Sequence, residues 1–160
     1  MRFSLFELGL FAAAAVVVVV VVALHRGPSG TKSAVVRASW ALTPGVLNPD
    51  VTQSTIRDTI CRRGWTRTVR PPVSYTNALK ARQLVQNGLR GPPSAFQEDH
   101  LISLELGGNP TDPRNLWPEP YPRAAAVDRI ENELNARVCS GALTLGEAQR
   151  RESALKHASG

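Results

Sequence analysis

The chain has 160 residues, which allows one domain with appendages, and a formal net charge of +6 at neutral pH. It holds two cysteines, Cys61 and Cys139, and no C-x-x-C pair, which excludes a structural zinc site of that type. The charge excludes little, because it suits a polyanion such as nucleic acid and an anionic membrane surface equally well.

From Leu8 to Leu24 all 17 residues are apolar or glycine, including an unbroken valine run from Val16 to Val22. A helix of that length spans roughly 26 Å, near the thin end of a bilayer core. Residues 1–26 therefore read as a transmembrane anchor or a signal peptide, with Arg2 before the apolar stretch and His25-Arg26 closing it. A cut after Ala23 lacks a clean A-x-A site, which favours the anchor. Lys32 and Arg37 follow the segment and point to a cytoplasmic domain by the positive-inside rule. The even cysteine pair points the other way, to a Cys61–Cys139 disulfide in an extracytoplasmic domain, membrane-anchored or secreted. Two buried free thiols are the alternative.

Residues 27–42 are rich in Gly, Ser and Lys and read as a linker, so the folded domain is expected over 43–156. Thr43-Pro44-Gly45 signals a turn. Asn48-Pro49-Asp50 predicts a helix running to about Ile60, capped by Asn48. Thr66–Val69 reads as a short strand. A second helix follows over Tyr75–Asn87, with Leu79, Leu84 and Val85 on its core side and Gly88 closing it. Leu101–Leu106 is apolar enough for a buried strand. The cluster Gly107-Gly108-Asn109-Pro110 forms a turn, and Asn115-Leu116-Trp117 is a second strand ended by Pro118. Pro122–Val138 is helical, because Val127, Ile130, Leu134 and Val138 share one stripe. Thr144 to Glu147 is a capping-box pattern that starts a last helix, whose tail frays after about Leu155.

Asp99-His100 sets a carboxylate and an imidazole side by side at the start of this block. Asn115 lies across the hairpin. Asp128, Glu131 and Asn132 fall at i, i+3 and i+4, on one face of the following helix. If that helix packs on the hairpin, the acids and the imidazole converge where a divalent cation and a general base could cleave a phosphodiester. Read singly, each of these residues has a plainer role: a surface pair, a turn residue, a solvated helix face.

The tract EDHLISLELGGNPTDPRNLWPEP, followed by a polar helix, resembles the HNH-type (ββα-metal) endonucleases over about 40 residues, from Gln97 to roughly Leu134. The preceding region is similar to a group of small exported bacterial proteins. The resemblance implies an α+β fold: an HNH-like hairpin–helix core flanked by helices, behind the N-terminal transmembrane or signal helix. It also implies metal-dependent hydrolysis of nucleic acid, DNA ahead of RNA. In that reading His100 is the general base and Asn115 pins the hairpin loop. Asp99 and Asp128, with Asn132 as the alternative, hold one divalent ion, Mg²⁺ first, then Zn²⁺, Mn²⁺ or Ni²⁺. Two departures stand out: Ser103 replaces a frequent proline, and the helix supplies no His. Arg67, Arg70, Lys80 and Arg114 are the candidate phosphate contacts. Glu105 is expected to point outward, and His25 and His157 to be unspecialised. The rival expectation is a catalytically inactive, disulfide-stapled envelope or nucleic-acid-binding module on the same scaffold, and no obligate protein partner is evident.

Overall fold

The computed structural model describes residues 36–159. The apolar segment at 1–26 and most of the stretch read as linker lie outside the described residues. Among the described residues no helix is long and apolar enough to cross a membrane. Val36 and Ala38, inside that linker stretch, already pack against Leu101 and Trp117, so ordered structure starts before Thr43.

Asn48 to Ile60 is not the helix its capping residues predict. Asn48 does receive the Asp50 amide on its side chain, at 3.0 Å. Threonine and serine hydroxyls then compete for the backbone: Thr55 Oγ1 accepts from the Thr52 amide at 2.8 Å and donates to the Asp50 carbonyl at 2.8 Å. Such local bonds offer the chain an alternative to helix, and successive turns result. Thr66–Val69 is likewise no strand. With Trp65 it forms a one-turn helix, α1 (Trp65–Val69), which buries Trp65 and stops before Pro71.

Helix α2 (Val73–Gln86) begins two residues earlier than predicted and ends one residue earlier, with Asn87 as its cap. Gly88 is left-handed at φ 64°, with Gly88 N–H on the Val85 carbonyl and Leu89 N–H on the Leu84 carbonyl. That is a Schellman closure. Leu79 and Leu84 are buried, but Val85 is 82% exposed and belongs to the opposite face.

The sheet is a two-stranded antiparallel hairpin of β1 (Phe96–His100) and β2 (Leu116–Pro120), pairing Asp99 with Trp117 and His100 with Leu116. Both strands differ from expectation. Leu101–Leu106 is a bend and a 3-10 turn inside the hairpin loop, and the strand is the more polar segment before it. Pro118 and Pro120 lie within β2 instead of ending it. Leu101 N–H donates to the Asn115 carbonyl at 2.7 Å, and bonded pairs alternate along an antiparallel ladder. Pro118 and Pro120 therefore face β1 at pairs where no N–H is required.

Helix α3 (Tyr121–Cys139) follows without a loop, with proline at its second position. Its apolar stripe of Val127, Leu134 and Val138 is buried, with Ile130 partly so. Gly141, at φ 81°, turns the chain into α4 (Leu145–Ser159), whose start is capped by Thr144 Oγ1 accepting from the Glu147 amide at 3.3 Å. The frayed tail expected after Leu155 is instead helix to Ser159, and Lys156 and His157 are both buried in it. Val51, Ile60, Trp65, Ile102, Leu106, Leu134, Val138, Leu143 and Leu145 form the main core. Cys61 and Cys139 are joined beside that core, with their Cα atoms 5.5 Å apart.

Candidate active site

One side chain ties the two ends of the hairpin loop together, while Glu152, Asn135 and Gln149 bond its middle at the Ser103 amide and the Glu105 and Leu106 carbonyls. Asn115 is fully buried. Its Oδ1 accepts from the Ile102 amide at 3.0 Å, and its Nδ2 donates to the carbonyls of Ile102 at 3.0 Å and Asn109 at 2.9 Å. The glycine pair makes this packing feasible. A Cβ on Gly108 would lie 1.7 Å from the Ile102 carbonyl oxygen, and one on Gly107, at φ 77°, would lie 2.5 Å from Val51 Cγ1. Next to Asn109, the Pro110 carbonyl accepts a hydrogen bond at 3.0 Å from His100 Nε2. A carbonyl can only accept, so Nε2 carries the proton and Nδ1 keeps the lone pair. Asn115 thus ties down the loop that orients the imidazole. We expect Asn115→Ala to destabilise the fold by about 3 kcal/mol, since it strands buried donors and acceptors. A urea midpoint equal to that of the wild type would contradict this account.

A pocket of about 330 Å³ opens beside this corner, lined by Asp99, His100, Asp128, Glu131, Asn132 and Arg70, together with Glu105. The face of α3 carrying Asp128, Glu131 and Asn132 is therefore turned toward Asp99-His100. His100 is 5% exposed and Asp99 is 16% exposed at its side chain, so both sit at the base of the pocket. Asp128 is on the rim, its carboxyl raised by burial and then by the nearby charge of Asp99.

The four basic candidates separate. Arg70 lines the pocket. Arg67 is exposed and folds back over Gly64, where a Cβ would lie 3.0 Å from its guanidinium. Lys80 donates to the Phe96 carbonyl at 2.9 Å, and Arg114 is paired with Asp112 at 2.6 Å. The last two are occupied by their own chain and do not line the pocket.

No family model, no curated protein and no solved structure matches this chain.

The sequence reading missed the charge beneath the pocket. Lys156 of α4 is 0% exposed. Its Nζ lies 2.9 Å from Asp99 Oδ2, 2.6 Å from Glu131 Oε1 and 3.6 Å from Glu152 Oε1, and it donates to the His100 carbonyl. Burial alone would discharge this amine, but the three carboxylates outweigh it and hold it charged. Burial also opposes charge on Asp99, and there the ammonium and its hydrogen bond prevail, keeping the carboxyl below its usual range. Burial prevails at Glu131 and Glu152, which are raised. Glu119 on β2 is fully buried beside Asp99, and burial, then the charge of Asp99, pushes it up to about 8, so its proton links the two carboxyls. Burial lowers His100 against the opposing pull of the Pro110 bond and Asp99, so the imidazole is neutral at physiological pH. Glu105, expected to face outward, lines the pocket with Oε2 buried and without a hydrogen bond. His157, expected to be unspecialised, is buried, bonds the Thr43 carbonyl through Nε2 at 3.0 Å and stacks on Trp40.

Among the described residues no three of His, Cys, Asp and Glu are arranged as a ready-made metal cage. The donors that line the pocket are oxygens, however. Asp99, Asp128 and the amide oxygen of Asn132 remain, because Asn132 Nδ2 is spent on the Asp128 carbonyl at 2.7 Å. Mg²⁺ is typically held by one or two carboxylates, with water and substrate phosphate filling the other positions. These oxygens are of the chemical kind such an ion takes.

Proposed function

We propose that the chain is an HNH-like, metal-dependent phosphodiesterase acting on nucleic acid, DNA ahead of RNA. The observation that carries this reading is the shared pocket: Asp99, His100, Asp128, Asn132 and Arg70 converge, with an oriented, neutral imidazole at its base. A phosphodiester entering the pocket meets the Arg70 guanidinium, which offsets its charge and orients its oxygens. His100 Nδ1 takes a proton from the attacking water while Nε2–H stays on the Pro110 carbonyl, so the ring keeps its aim as it becomes charged. Asp99 and Asp128, with Asn132, would hold the cation. When bound, that ion supplies charge stabilisation at the leaving oxygen. The Cys61–Cys139 disulfide supports an extracytoplasmic location, reached through the apolar N-terminal segment.

A second reading keeps the scaffold without the catalysis. The small exposure of His100, and the neutralisation of Asp99 by a residue of its own chain, favour it. One experiment separates the two. The full chain in mild detergent is incubated with duplex DNA, single-stranded DNA and RNA in the presence of Mg²⁺, Mn²⁺, Ni²⁺ or Zn²⁺. We expect cleavage that EDTA abolishes. Salt-sensitive binding without cleavage under any cation would establish the inactive module instead.

A further inference from the structure

Lys156 is buried in the domain and touches the pocket from behind. Its ammonium lies against Asp99 Oδ2 at 2.9 Å and Glu131 Oε1 at 2.6 Å, and it also bonds the backbone carbonyl of His100. It lines no part of the pocket and is wholly shielded from solvent, so it cannot reach a substrate. It does occupy one oxygen on each of two acidic residues that line the pocket, Asp99 and Glu131. The anionic charge that surrounds it, from Asp99, Glu131 and Glu152, is supplied by a strand and two helices. The ammonium therefore also fixes where β1 meets α3 and α4.

We propose that Lys156 is a positioning residue that limits Asp99 to one-oxygen ligation and so selects a small octahedral cation over Ca²⁺. The inference rests on the reading of Asp99 as a cation ligand. Ca²⁺ takes six to eight oxygens at about 2.3–2.6 Å and commonly uses both oxygens of a carboxylate. Mg²⁺ and ions of similar size accept octahedral geometry and one oxygen from each of one or two carboxylates. With Oδ2 bonded to Lys156 and the Glu119 carboxyl also against it, Asp99 offers at most one oxygen, and Glu131 is restricted in the same way at Oε1. The exposed Asp128 is the one lining residue among these three acids with both oxygens unclaimed by the ammonium. A site with single oxygens at its base and one exposed carboxylate at its rim is poorly suited to Ca²⁺.

The test is calorimetric titration of the full chain in detergent with Mn²⁺ and with Ca²⁺, comparing the wild type with Lys156→Met/Glu152→Gln. The second substitution removes one of the carboxyls left unpaired when the ammonium goes, which favours folding, and circular dichroism checks the fold of each protein. Removing a positive charge raises affinity for both cations, so the readout is the ratio of the two dissociation constants. A merely structural role would leave that ratio unmoved. The wild type is expected to bind Mn²⁺ at least tenfold more tightly than Ca²⁺, and the double variant to narrow that ratio about tenfold. Glu152→Gln alone should leave it unchanged, because Glu152 does not touch Asp99 through the ammonium's short contacts. Equal wild-type affinities, or an unchanged ratio in a folded double variant, overturn the inference and leave the reading of the site standing. If neither cation binds the wild type, both fall. If the double variant does not fold, Lys156→Gln is titrated in its place, and the same narrowing of the ratio is required of it.

Discussion

His100→Ala should lower the rate of nucleic-acid cleavage by about 10²–10⁴-fold while leaving the fold intact, the range expected when a positioned general base is removed. The argument is geometric. Nε2 is committed to the Pro110 carbonyl at 3.0 Å, so the only basic nitrogen is Nδ1. The ring lines the pocket shared with Asp99, Asp128 and Arg70, and none of the other residues lining that pocket is a histidine. The loop that carries Pro110 does not depend on the imidazole, because Asn115 holds it through three bonds of its own. Circular dichroism of His100→Ala should therefore stay close to wild type, and the melting temperature should fall by a few degrees for the one bond to Pro110 and the packing that are lost. Truncation also leaves an imidazole-sized gap at the base of the pocket, so added imidazole should restore part of the rate. Full activity in His100→Ala would remove His100 from the mechanism.

The second large effect concerns stability. Cys61 and Cys139 close a loop with a sequence separation of 78. Constraining a loop of that size in the unfolded chain is worth roughly 4.5 kcal/mol on the chain-entropy account. The bond joins the irregular turns before α1 to the last residue of α3, and Ile60 and Val138, next to each cysteine, are buried in the main core. The turn segment from Thr52 to Arg62 has no helix of its own, and besides this tie it is held by Ile60 in the core and by Gln53, which accepts from the Leu145 amide. Cys61→Ser/Cys139→Ser is expected to lower the melting temperature by roughly 15 °C. Reduction and alkylation of the wild type should reproduce the loss. A melting temperature unchanged by either treatment would show that the core alone secures the turns.

Some of this was legible in the residues. The polar face of α3 follows from the i, i+3, i+4 spacing of Asp128, Glu131 and Asn132, and its apolar stripe from Val127, Leu134 and Val138. The closures at Gly88 and Thr144 follow from local chemistry that needs no distant partner. The paired cysteines announced the disulfide. The errors share a cause, in that a local signal met a competing bond. Hydroxyl side chains displaced the helix after Asn48. The ladder register made room for Pro118 and Pro120. The apolar run Leu101–Leu106 went to the core as a loop because Asn115 and the two glycines bent it there.

What the sequence determined by itself was part of the set of groups at the pocket, an acid and an imidazole in tandem and an acidic helix face at fixed spacing, together with the asparagine that holds the loop behind them. Their charge state and orientation were decided by the tertiary structure. A lysine near the end of a polar helix has no reason in its neighbours to be buried. Lys156 is buried because carboxylates from β1, α3 and α4 arrive around it, and an ammonium leaves water only where such partners repay the lost solvation.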